Sequence, residues 1–235
     1  MERAERFRAA RGDPSLAVLE GFHAVKHALR FGAELLEIAA SADARVEELV
    51  ARLAPDLAHR LEPEPLPAEA FSALSPAPHP TGVIAIARRP AQESPLDGGG
   101  RVVLLEAPRR LENVGAVVRV AAAAGAAGVL TTGELDPWHP VALRAAAGLH
   151  FALPVLRTEA LPDSDRPLVA LDPGGEELSP GAIPSRAILA FGTERAGLSE
   201  DLLDRADLRV RIPMRPGVSS MNLATAVAVV LYTTS

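Results

Sequence analysis

The feature that most constrains this chain is a break in its apolar pattern at residues 88–100, a stretch holding two arginines, two prolines and three consecutive glycines. Proline fixes φ and lacks a donor, and glycine offers no side chain to pack, so neither helix nor strand nucleates there. The 235 residues therefore divide into a first domain over 1–96 and a second over 97–235, with a linker at about 88–100. In the first domain Phe22, Val25, Ala28 and Leu29 form a helical stripe that ends at Gly32, and residues 35–40 read as a short strand. Val46, Leu49, Val50 and Leu53 recur as one helix face, residues 55–67 read as loop around a weak strand, and residues 82–87 read as a buried strand.

The second domain opens on the apolar strand 101–106. Val114, Val117, Val118 and Ala121 then make a helical stripe that returns the chain to a strand at 128–131, which is a βαβ unit. Later apolar runs at 168–171, 187–191 and 208–212 alternate with helical segments at 140–147, 199–205 and 220–232. Such alternation implies an α/β domain built on a mostly parallel sheet, preceded here by a smaller α/β domain.

Composition removes several chemistries. With no cysteine there is no disulfide framework, thiol nucleophile or thiolate metal site. His23 and His27 have helical i, i+4 spacing, but Ala24 stands where a zinc protease has its glutamate, so no metal is expected. No run approaches the roughly 18 apolar residues of a membrane span, and the first residues lack the apolar stretch of a signal peptide. The expectation is a cytoplasmic protein with no membrane partner. The net charge of −6, acidic in both halves, excludes a surface wrapped in polyanion contacts, so any nucleic acid must be held by a local arginine cluster. No G-x-G-x-x-G follows the strand at 101–106, and the only lysine, Lys26, lies in no P-loop.

Three segments stand at the ends of predicted strands, where open α/β sheets present ligands. They are LENVGAVVR at 111–119, FGTERAGLS at 191–199 and IPMRPGVSSMNLA at 212–224. In this order they resemble the motifs of the SpoU (TrmH-type) RNA 2′-O-ribose methyltransferases of the SPOUT superfamily. The resemblance extends over 101–235, through DPWHP at 136–140 and GLHFALP at 148–154. More faintly, LEGFHAV at 19–25 and HPTGVIA at 79–85 resemble the L30e-like RNA-binding module often attached to that domain.

The resemblance implies a SPOUT domain with a deep C-terminal trefoil knot, an S-adenosylmethionine pocket formed by the knot, and a homodimer with its active site near the subunit interface. It implies cofactor contacts at Gly192, Ile212 and Met221, with Met214 nearby; by their chemistry alone, Ile212 reads equally as the end of a core strand and the methionines as core filling. It makes Arg119 the principal catalytic candidate. A guanidinium is a poor proton acceptor, so Arg119 is expected to grip a phosphate or orient the ribose hydroxyl. Asn113 can cap the helix carrying Arg119 and orient that arginine or the ribose, and Glu194 can accept hydrogen bonds from either. Ser220 and Asn222 stand where capping of the last helix competes with ligand contacts. The chain departs from the commonest family ending, Ser-Leu-Asn-Val-Ser, at Met221, Leu223 and Ala224. Ala224 lacks the final hydroxyl, so that serine's role does not carry over, although Thr225 is adjacent.

Arg109, Arg110, Arg119, Arg144, Arg195 and Arg215 are candidates for the phosphate cluster. Trp138 and His139 read either as base-stacking residues or as a turn followed by a packed tryptophan. The activity implied is S-adenosylmethionine-dependent 2′-O-methylation of RNA, with rRNA favoured over tRNA because of the L30e-like domain. A noncatalytic RNA-binding or ribosome-assembly factor keeping the fold is the alternative.

Overall fold

The structure, a computed structural model, describes residues 2–193 and 196–233. The chain begins α1 (Arg3–Ala10), β1 (Leu16–Glu20), α2 (Phe22–Arg30), β2 (Leu35–Ser41), α3 (Val46–Leu53), β3 (Glu64–Leu66), α4 (Ala68–Ser72) and β4 (Val83–Arg88). It continues β5 (Val102–Leu105), α5 (Leu111–Ala123), β6 (Gly128–Thr131), α6 (Pro140–Ala145), β7 (Val155–Arg157) and β8 (Leu168–Glu177). It ends β9 (Ile188–Phe191), α7 (Glu200–Asp204), β10 (Leu208–Arg211) and α8 (Leu223–Thr233). Two compact units result: Met1–Ala91 together with Trp138–Ala152, and Gln92–Pro137 together with Leu153–Ser235. Among the described residues no helix is long and apolar enough to cross a membrane.

In the first unit the sheet order is β1-β4-β2-β3, with β4 antiparallel to both its neighbours and β3 parallel to β2. Phe7, Val18, Phe71, Leu74, Ile84 and Ile86 form a core on this sheet. The segment carrying α6 joins this unit although it comes from the middle of the second domain's sequence. Gly148 explains the closeness of the fit: a Cβ there would stand 2.3 Å from the Ala24 carbonyl oxygen. Trp138 is buried against His150 and Phe151 and lies under the Arg89 guanidinium, 5.7 Å from its ring centroid, so the packed reading of this tryptophan holds. Arg144, one of the arginines expected to hold phosphate, instead bonds the buried Glu20 carboxylate and the Ala77 carbonyl.

Glu20 also accepts from Arg11 at 2.7 Å and from the Ser75 hydroxyl at 2.7 Å. Burial alone would raise its carboxyl, but Ser75, Arg11 and Arg144 outweigh burial and hold it below the usual glutamate range. A carboxyl whose folded value is depressed contributes stability that is complete above its unfolded value, about 4.3, and is lost as pH falls through the folded value. Thermal unfolding followed from pH 6 down to about pH 3 should therefore show an acid-side loss that is smaller in Glu20→Gln, whose stability is already reduced at neutral pH.

The second unit has an entirely parallel sheet of order β10-β8-β9-β5-β6-β7. Its central strands β5 and β9 are buried along their whole length, which is why they read as unbroken apolar runs. The α5 stripe is buried as expected, at Val114, Val117, Val118 and Ala121, and α5 packs against α8. Sequence periodicity had marked neither α1, β1, α4 nor β7. The α1 helix buries only Phe7 and Ala10, and β7 has three residues, too little for a stripe or an alternation.

The glycine stretch is not slack. Arg166 is 4% exposed and donates to the carbonyls of Pro95, Leu96, Gly98, Gly100 and Arg186, drawing the turn around itself. Arg166→Met keeps the aliphatic length but leaves those carbonyls without their donor. We expect a loss of ~2–4 kcal/mol in urea unfolding, together with faster native-state proteolysis at residues 97–100.

Candidate functional site

The strand order turns back between β5 and β9, which are neighbours in space but far apart in sequence, so a crevice opens beyond their carboxyl ends. Two tight turns follow these strands. Ala107, just past β5, has a left-handed φ of 43°, and its amide donates to Thr132 Oγ1 at 2.9 Å. After β9, Thr193 and Gly197 exchange backbone hydrogen bonds at 3.1 and 3.0 Å, closing a hairpin. A Cβ on Gly192 would lie 2.0 Å from the Gly197 carbonyl carbon, so glycine is required by the hairpin's own backbone.

Glu106 clamps the base of this hairpin from both sides. Its amide donates to the Phe191 carbonyl at 2.9 Å, while its carboxylate accepts the Ser199 amide at 2.7 Å and the Ser199 hydroxyl at 2.6 Å. The same Ser199 hydroxyl oxygen caps α7 by accepting the Leu202 amide. Sequence reasoning passed over Glu106. Its only signal was a carboxylate at the end of a buried strand.

A hollow of about 500 Å³ lies at the carboxyl ends of β9 and β10 and against the middle of β8, within the range of small-molecule sites, roughly 300–1,000 Å³. It brings together the predicted Gly192 from the second motif and Ile212, Met214, Ser220 and Met221 from the third. Ile212, Met214 and Met221 are each half-buried, so they are partly open walls rather than closed core. The hollow also takes in Leu171, Asp172 and Pro173 from β8, which no motif had flagged.

The family model described as the SpoU rRNA Methylase family matches residues 100–232. The chain belongs to this family. A relative from Bacillus subtilis, the 23S rRNA (guanosine(2553)-2′-O)-methyltransferase RlmP, is 32% identical over 224 residues, covering 92% of this chain and 86% of the relative. The crystal structure of an rRNA methyltransferase from Sinorhizobium meliloti is 25% identical and covers 98% of this chain and 92% of its own, with a TM-score of 0.75. The SpoU methyltransferase AviRb from Streptomyces viridochromogenes, crystallised with the cofactor AdoMet, shares the fold. It has a TM-score of 0.77 at 23% identity and covers 99% of this chain and 96% of its own.

Among the described residues, the predicted catalytic residues Asn113, Arg119 and Asn222 fall outside the lining of the hollow. Arg119 is exposed on α5 and Asn113 is half-buried at the helix's first turn. The two emerge on different helix faces, six residues and about 240° of rotation apart. Asn113 does not cap the helix: Arg110 occupies the N-cap, because Leu111 and Glu112 are already helical. Asn222 does cap α8, its Oδ1 accepting the Ala224 amide at 3.0 Å and the Thr225 amide at 3.3 Å, so the helix starts at Leu223 rather than 220. Arg109, Arg110 and Arg215 are exposed. Glu194 and Arg195 lie outside the described residues.

Ser199 is an N-cap residue, so no helical carbonyl takes its amide and Glu106 is its acceptor. Hydrogen exchange followed by NMR should show the Ser199 amide losing its protection in Glu106→Ala while the β9 amides keep theirs. Equal protection in both proteins would mean that the hairpin holds without the clamp.

Proposed function

We propose that this SpoU-family protein is an S-adenosylmethionine-dependent 2′-O-ribose methyltransferase acting on ribosomal RNA. The observation that carries the reading is the hollow at the ends of β9 and β10 and against β8, where Gly192, Ile212, Met214 and Met221 converge from two separate motifs. Its chemistry fits the cofactor. Ile212, Met214 and Met221 offer apolar faces to an adenine ring, while Thr193, Ser219 and Ser220 offer polar atoms to the rest. The rRNA assignment is supported by the relative named above, which acts on 23S rRNA and matches nearly the whole chain. The knotted C-terminal cradle, the homodimer and a cytoplasmic setting belong to the same proposal. Val218 and Tyr232, large apolar side chains left exposed in the second unit, are suited to a second copy.

When bound, S-adenosylmethionine supplies a sulfonium methyl group as the electrophile. What the chain's residues must do is align a ribose 2′-hydroxyl with it and accommodate the hydroxyl's proton. Arg119, exposed and always charged, grips a backbone phosphate or orients the hydroxyl, and the proton passes to an RNA phosphate or to water. Arg109, Arg110 and Arg215 add local positive charge on an otherwise acidic chain. Asn113, Glu194, Ser220 and Asn222 complete the catalytic set, with Asn222 also holding the start of α8. Residues 1–96 serve as the L30e-like RNA-binding module.

The test is incubation with methyl-labelled S-adenosylmethionine and total RNA lacking native modifications, followed by size separation and nucleoside digestion. Label in a 2′-O-methyl nucleotide of large RNA is expected. Label in the small fraction would move the substrate to tRNA, cofactor binding without label would point to a missing substrate context such as an assembling ribosome, and no cofactor binding would favour a noncatalytic RNA-binding or assembly factor. Arg119→Ala should lower methyl transfer by about 10²-fold or more while leaving cofactor affinity nearly unchanged, and unchanged turnover would remove Arg119 from the mechanism.

A further inference from the structure

The ladder between β8 and β10 breaks at one place. Arg209 pairs with Ala170, but the next residue, Val210, pairs with Glu176, so residues 171–175 leave the ladder on the β8 side. The excursion has a defined shape. Gly175 presses so closely on β10 that a Cβ would lie 2.5 Å from the Arg209 carbonyl carbon. Asp172 Oδ1 accepts the Gly174 amide at 3.2 Å, an Asx turn across Pro173. Leu171, Asp172 and Pro173 are thereby set into the wall of the hollow.

Among the described residues lining the hollow, Asp172 is the only carboxylate. The only cation there, Arg211, is engaged by Glu177 at 3.2 Å, and the other polar side chains, Thr193, Ser219 and Ser220, are neutral. Among the described residues, Asp172 thus carries the one carboxylate in a wall of apolar and neutral polar side chains and the Glu177-paired Arg211, where its field is screened less than in bulk water.

Resting on the reading that this hollow takes S-adenosylmethionine, we propose that Asp172 is a specificity-determining residue that favours the charged substrate cofactor over its neutral product. The two molecules share adenine, ribose and amino-acid end, and differ at sulfur. Methyl transfer breaks the carbon–sulfur bond and leaves its electron pair on sulfur, the new carbon–oxygen bond forms at the ribose, and the hydroxyl proton goes to solvent or phosphate. The sulfonium's positive charge is therefore absent from S-adenosylhomocysteine. A carboxylate facing the hollow stabilises the first ligand and is indifferent to the second, which biases exchange toward product release and substrate entry.

The experiment is calorimetric titration of the full chain with S-adenosylmethionine and, separately, with S-adenosylhomocysteine, for wild type and Asp172→Asn. Asparagine keeps the volume and the Oδ1 acceptor for the Gly174 amide while removing the charge and turning Oδ2 into an amide donor. For a partly exposed group, the S-adenosylmethionine Kd should rise about two- to fivefold while the S-adenosylhomocysteine Kd stays put. A salt titration of the wild type reads the same charge without a variant, and should weaken S-adenosylmethionine more than S-adenosylhomocysteine. If both affinities fall together, or neither moves, Asp172 only holds the turn and the proposal is overturned. Wild type that binds neither ligand would instead overturn the cofactor reading itself, and the specificity role with it.

Discussion

The parallel pairing of β5 with β9, Leu105 opposite Phe191, is the contact on which the rest of the second unit depends. It joins a strand near the start of this unit's sequence to one much later, and so creates the point at which the sheet order turns back. Two buried apolar strands lying side by side bring Glu106 and the hairpin after β9 into register. From there the clamp on Ser199, the closed Thr193–Gly197 turn and the position of Gly192 follow in sequence. The apolar pairing is non-directional and supplies the stability; the hydrogen bonds of Glu106 are directional and supply the geometry.

The first unit is organised by a different kind of interaction. Glu20 is nearly fully buried, and a buried carboxylate is tolerable only with partners. Arg11 and Ser75 come from its own half of the chain, but Arg144 arrives on a segment from within the matched family region, between β6 and β7. The unit thus takes in a piece of chain that sequence order assigns elsewhere. The consequence for RNA binding is concrete: an arginine that composition offers to phosphate is already committed to an internal carboxylate.

Much of the fold was legible because it depends on local apolar period. The α2 and α5 stripes and the strands β4, β5, β6 and β9 form where the pattern placed them, since each buries a contiguous face or a whole run, and α3 forms on its stripe with Val50 buried and Val46, Leu49 and Leu53 half-buried. The candidate cofactor residues were legible for another reason, a resemblance in motif order. What escaped was non-local. Nothing near Arg166 in sequence says that it gathers the glycine stretch. Nothing near Asp172 says that a five-residue excursion carries it into the hollow, because the excursion is defined by pairing with β10. The capping assignments divided similarly: Asn222 caps α8, whereas Asn113 lies one turn too far into α5 to cap it.

By itself, then, the amino-acid sequence determined where the strongly patterned helices and strands lie, that a parallel α/β unit follows a break near residue 90, and which family's motifs the chain carries. Those properties are encoded in periods of two to four residues and in short strings. The tertiary structure alone decided that residues 138–152 pack with the first unit, that Arg144 serves Glu20, that Glu106 holds the hairpin, and that Asp172 faces the hollow. Each of these joins side chains or strands tens of residues apart, where the partner is chosen by burial and by the need to satisfy polar groups, and no local pattern records that choice.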